Sequence, residues 1–476
     1  MGLSKTASGG RQYERFIESD KITVCHCSVV FISFSYGVVG MTNLKKAASA
    51  SIWWFAFGYF AVYIPYSFGT KVLTKGLLAD NTMDAAQKAA LTVSSGELLP
   101  PTILASIVVM IIFISSMRWW KYATQWHLGG LSLPRPRLST LFSGICTGVV
   151  VVTTTLAYTI NGVTIVTAML FMRGGMLIMS PIVDTLFKRH VRWFSWAALG
   201  MSLLALIVSS LWLPIYDGNL SWETMFGQPV MFWVDLAAYL GAYFVRLTMM
   251  SKKAKSKNAD DTKKFFVEEQ MVGTPSIFII LAIASLFAPT LADLTDPATG
   301  VVSMGGFGGL LYGVHAGFTS FWSRPSEVIL IAMGIGLFSQ FNGVFGGLIL
   351  LYPSENSFAV PVNRCSSILA GVVATLALVA VFGDKYPLPM PQEAGQFVGA
   401  AFVVGAILFL ALPKYLAGKK QHQLNASNAS EASGGSDKAE SKEVSEASNE
   451  DSKDASSDSD KAESNDASDD SKEDSK

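Results

Sequence analysis

The sequence predicts an all-α integral membrane protein of ten transmembrane helices, and it leaves room for an extra N-terminal hydrophobic helix. Composition points there first: half of the 476 residues are hydrophobic and 15% are charged, against roughly 25% charged in soluble domains. Spacing points there next. A bilayer core about 30 Å thick takes about 20 mostly apolar residues per helix, because lipid offers backbone N–H and C=O groups no partner. Windows of that length fall at residues 51–70, 99–117, 138–157, 162–186, 193–213, 230–250, 271–291, 326–351, 358–382 and 395–415.

Positive charge supplies a third observation, since lysine and arginine in short loops stay on the cytoplasmic side. With the body starting inside, the inner connections are "RWWKYATQWHLGGLSLPRPR", "KRHVR", "SKKAKSKNADDTKK" and the stretch after the last window, and they hold 16 basic residues. The outer connections hold five: Lys71, Lys75, Lys88, Arg324 and Lys385. This excess puts "LPIYDGNLSWETMFGQP" outside and the C-terminus in the cytoplasm.

The chain divides into five stretches. Residues 1–49 form an N-terminal segment, 50–250 the first five to six spans, 251–270 a basic cytoplasmic loop, 271–416 the remaining spans and 421–476 a tail. Within the first segment, residues 22–41 are uncharged apart from His26 and long enough to cross; alternatively Met41 is the start, since "MTNLKK" followed by apolar residues is an ordinary beginning for a multispan protein. The formal net charge of zero hides a division: from Glu431 onward there are 16 acidic and 6 basic residues, so the tail is −10 and the rest +10. Ser, Ala, Asp, Glu and Lys dominate this tail, which contains "SDKAES" twice. It cannot bury enough surface to offset chain entropy, and disorder is the expectation.

Soluble chemistry finds little support. Four cysteines are too few and scattered for a disulfide framework, and Cys25-His26-Cys27 lacks a second ligand pair for a zinc site. No Walker loop, HExxH or GxSxG is present. The sequence therefore predicts no catalytic residues, no metal, no cofactor and no nucleic-acid partner. "MGGFGGLLYG", residues 304–313, reads as a flexible or closely packed connector.

Ten spans with both ends inside, a basic loop near the middle, and "GVTIVTAMLFMRGGMLIMSPIVDTLFKRHVRWFSWAALG" leading from the fourth span into the fifth together resemble the drug/metabolite transporter superfamily. The resemblance covers roughly residues 50–416 and is strongest in spans three to five. It implies two five-helix repeats of opposite orientation and a secondary transporter. A shift of 191 residues sets "AMLFMRGGMLIM" over "AVPVNRCSSILA" and pairs Arg173 with Arg364, each followed by small residues.

A charge in a helix facing lipid costs at least about 2.5–3.5 kcal/mol, so such residues face protein or a watery cavity. In inverted-repeat transporters that cavity lies near the midplane. Arg173 and Arg364 there would grip a carboxylate or phosphate bidentately. The structural alternative fixes each arginine with a carboxylate, Asp184 or Asp235, or lets Arg364 snorkel to the headgroups.

Further candidates line the same route. Asp235, Tyr239, Ala242 and Arg246 share one helix face, with Asp235 suited to proton coupling and Arg246 read as a boundary residue of the inner positive charge. Span one carries Tyr63, Pro65 and Tyr66; Pro181 and Pro361 fall in the two arginine-bearing spans. Gln340 and Asn342 lie inside span eight, either bridging helices or binding ligand. Glu268 and Glu269 stand at the inner start of span seven, where a helix N-terminus favours acids, a gate being the alternative. The expectation is a carrier of a small anionic or zwitterionic metabolite, with protons as a coupling ion and a homodimer compatible with it. The expected location is a plasma membrane of the bacterial inner type. The rival is a membrane-embedded ligand-binding or scaffold protein with an acidic interaction tail.

Overall fold

The computed structural model describes residues 52–80, 82–128, 131–157, 160, 163, 165–218, 221, 226–255, 259–295, 306–386, 394–412, 416 and 423. The segment 1–49 with its extra-span and Met41 readings, and the tail 421–476 save residue 423, lie outside these. Residues Met1–Pro413 form one compact unit and Lys414–Lys476 a second; the membrane-length helices and the strands all lie in the first.

In chain order the elements are α1 (Ile52–Thr74), α2 (Ala85–Leu91), α3 (Ser95–Ser116), β1 (Thr124–Leu128), β2 (Leu131–Arg135), α4 (Leu138–Ala157), α5 (Ile165–Leu186), α6 (Trp193–Tyr216), α7 (Val230–Lys253), α8 (Ala259–Ser285), α9 (Gly306–Phe318), α10 (Ser326–Leu351), α11 (Asn356–Phe382) and α12 (Ala394–Leu412). Among the described residues nine helices are long and apolar enough to cross a bilayer: α3 to α8 and α10 to α12. This is the pattern of a multi-pass membrane protein. Their outward faces agree, for Val108, Ile111 and Ile112 of α3 and Ile178, Ile182 and Leu186 of α5 are exposed in stripes that water would not tolerate. Helix α1 has 23 residues, enough for a tenth crossing, but its tryptophans and tyrosines lower its hydropathy.

Among the described residues the fold is all-α apart from one short hairpin, in which β1 and β2 pair antiparallel, Thr124 opposite Arg135 and Leu128 opposite Leu131, inside the basic connection between α3 and α4. Two expectations are corrected. The glycine-rich connector is the helix α9, whose Gly313 and Gly317 let its backbone approach Glu97 and Pro100 of α3. Helix α8 begins at Ala259, well before the apolar window at 271, because the charged turns ahead of that window fold into the helix and are paired within the protein.

Helix α1 packs on α10 and α11, α7 on α4 and α5, α3 on α10, α8 on α4, and α5 on α11. Helix α12 lies against α6, with Val403, Ala406 and Leu410 beside Ala198 and Ala205. Lipid tails are as apolar as the side chains, so close contact and polar bridges hold such helices together. The α3–α10 crossing uses both: Gly336 sits against Thr102 and Ala105, and Ser106 donates to the Gly336 carbonyl at 2.8 Å. A side chain at 336 would overlap the Thr102 carbonyl, whereas Gly334 faces open space. Gly336→Val should therefore destabilise the fold by about 1–3 kcal/mol, seen as a lower melting temperature in detergent, while Gly334→Ala should leave it unchanged.

Candidate functional site

Helices α1, α5, α7, α10 and α11 converge on Arg364. Its Nη2 donates to the Met176 sulfur at 2.9 Å and to the Tyr243 hydroxyl at 3.3 Å, and its buried Nε has no partner. A thioether is a weak acceptor, and no carboxylate reaches this guanidinium among the described residues. Its charge is therefore met by tyrosines. Tyr239 stacks edge-on with Tyr243, ring centroids 5.0 Å apart, and Tyr59 lies against Tyr63 at 5.7 Å. Gly346 of α10 leaves space between Tyr59 and Asn363 that any side chain would fill. Arg173 is half-buried and makes no hydrogen bond or ion pair among the described residues, yet it acts electrostatically on Tyr59, as Arg364 does.

At the end of the bundle where α11 starts, this cluster is closed by polar bonds. Asp184 of α5 accepts from the backbone N–H groups of Asn356 and Ser357 at 2.8 and 2.7 Å and from both their side chains, capping the start of α11. Arg192, just ahead of α6, and Ser195, in its first turn, bind Glu355. Burial alone would raise the Glu355 carboxyl, but the Arg192 guanidinium and the Ser195 hydroxyl hold it below the usual carboxylate range. Lys255, past the end of α7, donates to the Ser354 carbonyl at 3.0 Å and to Asn356 Oδ1 at 2.7 Å. Burial, with Arg189 beside it, pushes its ammonium down to about 7, and Asp184 and Glu355 only partly oppose that.

Two arginine–glutamate pairs stand on opposite sides. Arg137, just before α4, meets Glu268 of α8 with Nε 3.0 Å from Oε2. Arg324, just before α10, meets Glu97 of α3 through two bonds of 2.6 and 2.8 Å. Glu269 takes Arg246 at 2.9 Å and the Ser143 hydroxyl at 2.6 Å.

Of the residues singled out by sequence, Arg364, Arg173, Tyr63 and Tyr239 come together, and Tyr66 follows Tyr63 outward along α1 with centroids 5.6 Å apart. Gln340 does not join them: it donates to Gln270 at 3.0 Å and bridges helices. Asn342 has a buried amide without a partner, but no described contact joins it to Arg364. Asp235 lies on the predicted face of α7 and is bonded to neither arginine. Four expectations fail. Asp184 fixes a helix start and not an arginine, and Arg364 turns inward to Met176 and does not snorkel. Arg246 is a buried ion-pair member, and Glu268 and Glu269 sit nine and ten residues into α8, away from its N-terminus. Sequence reasoning missed Tyr59, Tyr243 and Met176; the step of four from Tyr63 and from Tyr239 was the available signal for the two tyrosines.

A scan of protein-family models finds no match to the chain, and a search of curated proteins finds none either.

The Lys255 geometry carries a pH dependence with a definite sign. Its folded value near 7 lies below the ordinary 10.5, so between those values the unfolded chain binds the proton that the folded chain refuses. The stability penalty is complete below about 7 and fades as pH rises toward 10.5. Melting temperatures of wild type and Lys255→Met should diverge accordingly, with the wild type gaining more stability between pH 7 and 10.

Proposed function

We propose that the chain is a secondary carrier of a small anionic or zwitterionic metabolite, built as two inverted five-helix repeats like those of the drug/metabolite transporter superfamily. The observation that carries this is Arg364, a half-buried arginine whose buried Nε has no partner and which no carboxylate meets among the described residues, at the contact of the two arginine-bearing helices. A structural arginine in a membrane is satisfied by its own protein. One left with a free donor beside tyrosine hydroxyls and a second arginine is arranged for a carboxylate or phosphate.

Packing supports the repeat. If α1, α3, α4, α5 and α6 form one half and α7, α8, α10, α11 and α12 the other, exchanging the halves turns the α1–α10 contact into α7–α4. It turns α1–α11 into α7–α5 and α3–α10 into α8–α4. It also turns the Glu97–Arg324 pair into Glu268–Arg137, each arginine just ahead of its helix. On this reading the inner polar network closes the cytoplasmic side and must open for solute to leave. The membrane is of the plasma or bacterial inner type, with the C-terminus inside.

Counterflow in proteoliposomes tests the reading with radiolabelled succinate, glucose 6-phosphate and aspartate as probes. Exchange of at least one is expected. Arg364→Ala should raise its half-saturation roughly 10- to 100-fold, the worth of one or two charge-assisted hydrogen bonds, and Arg173→Ala should weaken it as well. Unchanged uptake in an Arg173→Ala protein that inserts normally ends the role assigned to that residue. Saturable binding without flux replaces the carrier with a ligand-binding scaffold.

A further inference from the structure

Eight charged side chains are buried among the described residues: Glu97, Asp184, Asp235, Arg246, Lys263, Glu268, Glu269 and Glu355. Seven are bonded to a partner of opposite charge or to several donors. The exception is Asp235, which is 3% exposed and has no hydrogen-bond partner for either carboxylate oxygen. Phe232, Leu236 and Tyr239 surround it on α7, with Val150 and Ala157 of α4 and Ala168 and Met172 of α5 in the same apolar cluster.

Among the described residues the helices packed on α7 offer it no bonded counter-charge, and Arg364 of α11 reaches α7 at Tyr243, two turns along from Asp235. The one titratable side chain of α4, Cys146, lies level with Arg246 and Glu269. Helix α5 brings Asp184, committed to the α11 start, and Arg173, to which no bond connects it. The charged residues of α8, from Asp260 to Glu269, lie in its inner half, and the only acid of α10 is Glu327 in its first turn. On α7 itself Tyr239, Tyr243 and Arg246 follow toward the inner side, with Lys252 and Lys253 at its end. An ionised carboxylate in such surroundings is among the most costly groups a protein can bury, and a neutral carboxyl is far cheaper.

We propose that Asp235 is a proton-binding site: it takes one proton from water on the outer side, and that proton accompanies the transport cycle. The chemistry is a single transfer. Hydronium gives its proton to a carboxylate oxygen, one O–H bond forms as another breaks, water is released, and the reverse transfer follows on the far side. Asp235 stands six residues into α7 from its outer end and about 12 Å along the axis from Tyr243. That places the proton outward of the arginine and tyrosine cluster, close enough for one helix movement to affect both.

Binding and coupling are tested separately, the second resting on the carrier reading. Infrared titration of the purified full chain in detergent should show the C=O stretch of a protonated carboxyl at neutral pH, lost on alkalinisation. The band should be missing in Asp235→Asn and regained in Asp235→Glu. Superimposable wild-type and Asp235→Asn spectra across the titration overturn the site. In proteoliposomes, the ratio of uptake driven by external acid to exchange at equal pH should fall about tenfold in Asp235→Asn for whichever of succinate, glucose 6-phosphate and aspartate is carried. An unchanged ratio overturns the coupling. Absence of flux with all three sinks the carrier reading, while the infrared titration still decides whether Asp235 holds a proton.

Discussion

A charge inside a membrane protein has no solvent to fall back on, and this constraint arranges most of what is polar here. Glu268 collects two bonds from Thr124, two from Arg137 and one from the Thr140 hydroxyl. Asp184 collects four bonds from Asn356 and Ser357. Breaking such sets is strongly destabilising because the remaining group stays buried and unmatched. Against that standard Arg364, with its unpaired Nε, Asp235, with neither oxygen bonded, and Arg173, without an ion pair, stand out among the charged groups of the described residues.

The polar bonds also divide the molecule by depth. The end that holds the α10–α11 turn is densely tied: the turn receives Arg189, Arg192 and Lys255 from other elements, and Glu269 holds Arg246 to α8. At the other end Arg324 binds Glu97 and the Ala89 and Ala90 carbonyls, and Lys71 reaches Thr375. Between them lies the aromatic middle, where the contacts are rings and sulfur. A middle of this kind can be reshaped by small rotations, since no ion pair among the described residues there has to be broken.

Sequence reveals the spans because a bilayer imposes one length and one composition on every crossing, and the helices fall where apolar windows lie. It also reveals Arg173 and Arg364, since an arginine in an apolar run cannot be overlooked. What it conceals depends on distance along the chain. The role of Asp184 is set by Asn356, 172 positions away, and nothing local to "SPIVDTLF" announces a helix cap for another helix. Tyr59 and Tyr243 look like ordinary aromatic filling until the fold brings them to one guanidinium. Helix α9 is hidden for a different reason: its glycines lower local helix propensity, and tertiary packing against α3 overrides that. The early start of α8 is concealed by "KKFFVEEQM", whose charges look like loop until Lys263, Glu268 and Glu269 are seen with their partners.

The hairpin β1–β2 is fastened by a carboxylate that the ribosome delivers much later. Thr124 and Glu268 are 144 residues apart, which at about 5–20 residues per second is roughly 7–30 s of synthesis. Throughout that interval the hairpin and the following Arg137 wait without their acceptor. Assembly of this end is thus ordered in time: α3 and α4 enter the bilayer with their connecting loop unfastened, and α8 locks it on arrival.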